Sequence, residues 1–154
     1  YPRGCAYQGL TDYRTPVITG KSEIIAKGKE IAVLGVGSML SDCEKVCQGL
    51  REDGYDPTLV NVRFVKPLDV ELLDCLAGDH RLFVTVEENV KSGGYGEHVA
   101  AYMEACHPEC RVLTASVWDH FVPQGKVESL RAKIGLGVED IRESIENSEV
   151  LKKK

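Results

Sequence analysis

The sequence predicts a three-layer α/β/α domain built on a five-stranded, mostly parallel mixed sheet with one antiparallel strand, and three observations carry that reading. First, β-rich runs at 30–36, 58–65, 82–86 and 111–117 alternate with segments of helical period. Strands joined by crossover helices run parallel and need covering on both faces. Second, SEIIA at 22–26 is separated from EIAVLGV at 30–36 only by KGK, a hairpin signal that places an antiparallel edge strand beside a central one. Third, 154 residues with 43% hydrophobic and 28% charged content suit one folded core rather than a disordered chain.

Residues 1–20, YPRGCAYQGLTDYRTPVITG, hold no lasting period and carry two prolines and three glycines, so they read as an extended lead-in at a domain boundary, with the domain proper at 21–154. After the hairpin, Ser41 and Glu44 have the spacing of a capping box, and Cys43, Val46, Cys47 and Leu50 repeat on one helical face. Asp69 follows the next strand and is placed to cap a helix whose Leu72, Leu73 and Leu76 turn inward. The strand at 82–86 leads into a helix carrying Val99, Tyr102, Met103 and Cys106. After the strand at 111–117, Val127, Leu130 and Ile134 share one helical face, and Val138, Ile141 and Ile145 share another beyond GLG. Ligands of such sheets sit beyond the carboxyl ends of the strands, which gathers GVGS, RFVKP, EENVKSGGYG and WDHFVPQG on one rim.

Composition narrows the function classes. A net charge of -5 argues against nonspecific nucleic-acid binding. The apolar runs fall far short of the roughly 18 residues a membrane span needs, and no signal-peptide pattern opens the sequence, so a cytoplasmic protein is expected. Six scattered cysteines in a chain with its own core suit a reducing compartment. The absence of an initiator Met and the abrupt YPRG opening suggest a piece of a longer chain.

Candidate chemistry concentrates at the rim. Gly35, Gly37 and Ser38 suggest a dinucleotide turn, but Leu40 stands where the third glycine belongs and no acid ends the following strand, which favours a tight βα turn. Gly93, Gly94 and Gly96 open a helix, where exposed amides attract anions. Glu87 and Glu88 just before them would repel a phosphate. The glycines are therefore read as permitting tight packing, docking another domain, or binding a ligand directly. Neighbouring carboxylates on a strand point to opposite faces, which disfavours Glu87 and Glu88 as an acid/base pair. Cys106, His107 and Cys110 form a weak zinc pattern without a second pair, and Ser116, Asp119 and His120 crowd too closely for a triad. Arg3, between Pro2 and Gly4, offers a planar fork to a phosphate. No catalytic, cofactor-binding or metal-ligating set is complete.

The order and spacing of YPRG, GVGSML, VRFVKPLD, VTVEEN, GGYG, FVPQG and LRAKIGL nevertheless resemble the carboxyl-terminal domain of the 1-deoxy-D-xylulose-5-phosphate synthase family, within the broader transketolase C-terminal domain class. VEEN with GGYG fits the whole class, including the beta subunits of 2-oxo acid dehydrogenases, which form the alternative; a non-catalytic interaction module is a second. The resemblance implies the transketolase C-terminal fold and a parent transferase of isoprenoid, thiamine and pyridoxal biosynthesis. That enzyme condenses pyruvate with D-glyceraldehyde 3-phosphate, with loss of CO2. It further implies thiamine diphosphate and Mg2+ held by preceding pyrophosphate- and pyrimidine-binding domains, a homodimer when complete, and an isolated chain that binds no cofactor and is inactive. By motif match, Arg3 approaches the phosphate of the triose, while Glu87, Glu88, Gly93, Gly94 and Gly96 fall near domain packing. His120 departs from the aromatic or apolar residue of many relatives.

Overall fold

The computed structural model describes residues 15–151. Strands β1 (Glu23–Ala26), β2 (Glu30–Val36), β3 (Thr58–Val62), β4 (His80–Val90) and β5 (Arg111–Val117) form one sheet in the order β1-β3-β2-β4-β5. β2 runs parallel to β3 and β4, β4 runs parallel to β5, and β1 is the one antiparallel member. Helices α1 (Leu40–Glu52), α2 (Val70–Ala77), α3 (Tyr95–Cys106), α4 (Val127–Lys133) and α5 (Val138–Glu146) complete three layers. No helix among the described residues is long and apolar enough to cross a membrane.

Strand alternation sorts the core into two halves. Ile31 and Val33 of β2 and Leu82, Val84 and Val86 of β4 meet Cys43, Val46, Cys47 and Leu50 of α1 and Ile141 and Ile145 of α5. Ala32, Leu34 and Phe83 point the other way, toward Leu73 and Leu76 of α2 and Val99 and Met103 of α3. The expected inward faces of α1, α2 and α5 are thus in place, that of α3 holds except at Cys106, which is exposed, and the Asp69 carboxylate caps α2 by accepting from the Leu72 amide at 3.4 Å. Two local expectations fail. A 3-10 turn at Gly37–Met39 runs straight into α1, so Ser41 lies inside the helix and donates to the Ser38 carbonyl instead of capping it. Helix α4 buries no residue, and Val127 is exposed.

The hairpin is also corrected. β1 is an antiparallel edge strand, but it pairs with β3 and not with β2. Residues 27–29 cross the entrance of β3, where the Lys29 amide donates to Asp56 O at 2.6 Å and the Gly28 amide to Thr58 Oγ1 at 2.9 Å. A Cβ on Gly28 would stand 2.0 Å from the Asp56 carbonyl oxygen, so the crossing needs a residue without a side chain. A KGK turn signal reports that the chain bends and is silent about what it bends around.

Buried hydrogen bonds then fasten this crossing to the far side of the sheet. His80 Nδ1 donates to Leu76 O at 2.8 Å, which leaves Nε2 to accept from the Thr58 hydroxyl at 2.7 Å. Thr58 Oγ1 in turn accepts from Gly28. Every member is satisfied only while the imidazole is neutral. Burial pushes the His80 pKa below its ordinary value of 6.5, outweighing the Leu76 carbonyl and the nearby Asp79 and Asp56 charges that pull it up.

Two outcomes are expected. Gly28→Ala destabilises the fold by about 1–3 kcal/mol in chemical denaturation, as overpacking against backbone does. Because the folded pKa of His80 lies below the unfolded one, the unfolded chain binds the extra proton between them; the contribution is whole above pH 6.5 and declines as pH falls below it. The stability gap between the protein and His80→Asn therefore narrows from neutral pH to about pH 5, read from paired melting curves.

Candidate functional site

The carboxyl ends of β2, β3, β4 and β5 gather the four expected segments on one rim, and its centre is the β4–α3 turn. The pairing of β4 with β5 shifts between Val86 and Val90, so residues 87–89 bulge out of the ladder. Alternation still governs them. Glu87 turns to the α2 and α3 side and Glu88 to the α1 and α4 side, as expected for neighbours on a strand.

Glu87 is fully buried, and its carboxylate accepts from the Gly96 amide at 2.8 Å through Oε1 and from the Tyr95 amide at 2.9 Å through Oε2. These are first-turn donors of α3, the groups that would otherwise receive an anion. The glycines exist for this closure. A Cβ on Gly96 would stand 2.0 Å from Thr114 Cγ2 and 2.4 Å from Thr85 Oγ1, and one on Gly94 would stand 2.7 Å from Glu87 Oε1. Gly93 turns through φ +74°, and its amide donates to Glu97 Oε2 at 2.6 Å, closing the outer side of the turn. Of the three readings left open for these glycines, tight packing is what the geometry uses, and the anion cradle is filled by the chain's own carboxylate.

Glu88 accepts from Ser38 Oγ and from Arg131, at 3.0 Å from Nε and 2.7 Å from Nη2. Arg131 also reaches Asp42 Oδ2 at 2.7 Å. Burial alone would raise the Glu88 pKa, but the Ser38 hydroxyl and the Arg131 guanidinium outweigh it and hold the carboxyl below its usual value. One arginine thus ties α4 to α1 and to the end of β4. Ser38 stood out in the sequence only as part of a βα turn, and Arg131 not as a site residue, because a single arginine on a polar helix face has no distinguishing spacing.

A second arginine was likewise missed. Arg63, just past β3, pairs with the buried Glu23 and donates to Thr15 O, Thr15 Oγ1 and Pro16 O, lashing the lead-in to the rim. Arg3 lies outside the described residues. His107 Nε2 and Tyr102 Oη both meet Asp74 Oδ1 at 2.7 Å, joining α2 to α3, and these contacts hold the Asp74 carboxyl below its ordinary pKa. Cys106 is exposed, whereas Cys110 is buried and donates to His80 O, so the weak zinc pattern is divided among separate tasks. Among the described residues, no group of three or more His, Cys, Asp or Glu is arranged to hold a metal.

Comparisons with known proteins agree with this architecture. A family model described as transketolase, C-terminal domain, matches residues 20–141. The 1-deoxy-D-xylulose-5-phosphate synthase of Lachnoclostridium phytofermentans is 42% identical over 146 residues, covering 94% of this chain and 23% of the relative. That of Chlorobaculum tepidum is 36% identical over 143 residues, covering 92% and 22%. The chain therefore spans less than a quarter of the length of these curated relatives. A split-gene transketolase solved as an inactive beta4 tetramer superposes with a TM-score of 0.79 at 27% identity, over 90% of this chain and 44% of that one. The transketolase of Campylobacter jejuni shares the fold, with a TM-score of 0.57 at 14% identity over 86% of this chain and 19% of that one.

Removing the rim carboxylate tests its assignment as a structural anion. Glu87→Ala leaves two buried amides unpaired and is expected to cost about 3–5 kcal/mol, with Glu87→Gln costing about 1.5–3 kcal/mol. Hydrogen exchange of the Tyr95 and Gly96 amides should quicken in both variants, and unchanged exchange there would remove the assignment.

Proposed function

The chain belongs to the transketolase C-terminal domain family, and from that premise we propose that it is the closing domain of a thiamine diphosphate-dependent 1-deoxy-D-xylulose-5-phosphate synthase. The observation that carries the reading is 42% identity to such a synthase along 94% of the chain, against 23% of the relative's length. A domain of that proportion brings part of an enzyme and not the whole. The parent reaction condenses pyruvate with D-glyceraldehyde 3-phosphate with loss of CO2. Residues 1–20 are its lead-in from the catalytic domains, the complete enzyme is a homodimer, and its location is cytoplasmic.

The start of α3 does not fit a diphosphate. The helix-start amides that suit a phosphate are occupied by Glu87, and a diphosphate placed there would meet that carboxylate without a cation between them. The cofactor, whose electron-sink chemistry the reaction needs, belongs on the preceding domains. This chain's part is to complete the enclosure of the site, excluding water from it, and to present Arg3 to the triose phosphate. A bidentate, charge-assisted contact there orients the acceptor aldehyde without taking part in bond making.

Two measurements test this. The isolated chain should form no product from pyruvate and D-glyceraldehyde 3-phosphate. In the complete polypeptide, Arg3→Ala should raise KM for the triose phosphate about 10- to 100-fold, the loss of one hydrogen-bonded charge, while kcat and KM for pyruvate stay near their starting values. An unchanged triose KM would remove Arg3 from the acceptor site.

A further inference from the structure

The exposed apolar surface of this domain is concentrated on one side. Among the described residues, the large hydrophobic side chains left in water are Val17, Ile18, Val90, Trp118, Phe121 and Val127, with Val70 at the margin. Phe121 is fully exposed and Trp118 is 67% exposed. Each belongs to the carboxyl-end rim. Val90 ends β4 and pairs with Val117, the residue before Trp118. Phe121 lies in the β5–α4 connection, and Val70 and Val127 begin helices that leave the rim. Val17 and Ile18 lie in the lead-in, which Arg63 and the Lys21 contacts to Asp69 and Glu71 hold against the β3–α2 connection. Scattered single hydrophobics are ordinary on a surface, whereas their confinement to one edge marks an interaction face.

We infer that the carboxyl-end rim, with Trp118 and Phe121 as its anchors, is the face on which this domain docks the preceding domains of its own polypeptide. This rests on the reading of the chain as a carboxyl-terminal domain. The occupant follows from where the chain comes in. Residues 15–18 lie on this rim, and the relatives carry more than three-quarters of their length outside the matched region. Aromatic side chains are the typical anchors of such interfaces, since they bury large areas at small entropic cost.

The glycine turn is not the anchor, contrary to what its composition suggests. Gly94 and Gly96 are buried and Glu87 is spent internally, so a partner meets the neighbouring aromatic loop instead. That loop has a fixed base. Arg131, held by Glu88 and Asp42, secures α4 although α4 buries nothing of its own. A 390 Å3 depression between Lys91, Ser92, Glu97, Thr114 and Trp118 lies beside the anchor and can receive a side chain from the partner.

Hydroxyl-radical footprinting of the 154-residue chain and of the complete polypeptide tests this directly. The expected result is loss of most labelling at Trp118 and Phe121 in the complete polypeptide, with Tyr55 on the opposite rim unchanged. Trp118→Asp with Phe121→Asp should restore labelling at Val17 and Ile18 and speed proteolysis within the lead-in, while the melting temperature of the isolated double variant stays near that of the isolated chain. Equal labelling of Trp118 and Phe121 in both forms overturns the inference. So does protection that already appears in the isolated chain and vanishes on dilution, because the occupant is then a second copy. A product assay on the complete polypeptide is scored separately: rim protection without synthase activity removes the proposed function and keeps the docking face, and activity without rim protection does the reverse.

Discussion

The contact between the Glu87 carboxylate and the Tyr95 and Gly96 amides constrains the rest of the rim. A helix that starts over a sheet leaves donors pointing at the sheet's end, and burying them without an acceptor is costly. Supplying the acceptor from the preceding strand solves that locally. It also dictates the turn: the carboxylate must reach under the helix, so Gly94 and Gly96 can carry no side chains there. The bulge at 87–89 lets β4 release its ladder at the point where the side chain is needed.

Once Glu87 faces α3, strand alternation places Glu88 on the other side of the sheet. There it meets Ser38 and Arg131, and Arg131 extends to Asp42. Both halves of the domain are thus stitched to the end of β4 by adjacent carboxylates with different partners. The Glu87 contact is buried and worth more; the Glu88 pair is 40% exposed on its carboxylate side, and water screens it. Its importance is positional, because α4 has no buried face to hold it.

The layers, the parallel sheet and most of the helix faces were legible because periodicity records burial, and burial is a local property of side chains. Leu73 and Leu76 of α2, and Ile141 and Ile145 of α5, fall where their spacing puts them. The partner of β1 was not legible. Pairing with β3 across a three-residue crossing depends on Gly28 passing Asp56, a contact between segments whose approach no spacing encodes. The rim was half legible: the opposed directions of Glu87 and Glu88 follow from alternation, but that Glu87 fills the α3 cradle depends on helix position. Arg63 and Arg131 act through long-range pairs and leave no sequence pattern. For Arg3, outside the described residues, motif match is the whole of the support.

A domain that spends its rim acid on its own helix has given up binding a free anion there, and this clarifies the division of labour. An open α/β sheet ordinarily offers its ligand site beyond the carboxyl ends of the strands, where helix starts converge. Here the central helix start is sealed, and the loops around it expose Trp118 and Phe121. At that helix start the surface offers a small anion no free donor, because Glu87 already takes the Tyr95 and Gly96 amides. It gains from another apolar surface, which removes Trp118 and Phe121 from water at about 25 cal/mol for each Å2 buried. The same edge of the fold that elsewhere holds a ligand is the one we propose for joining domains.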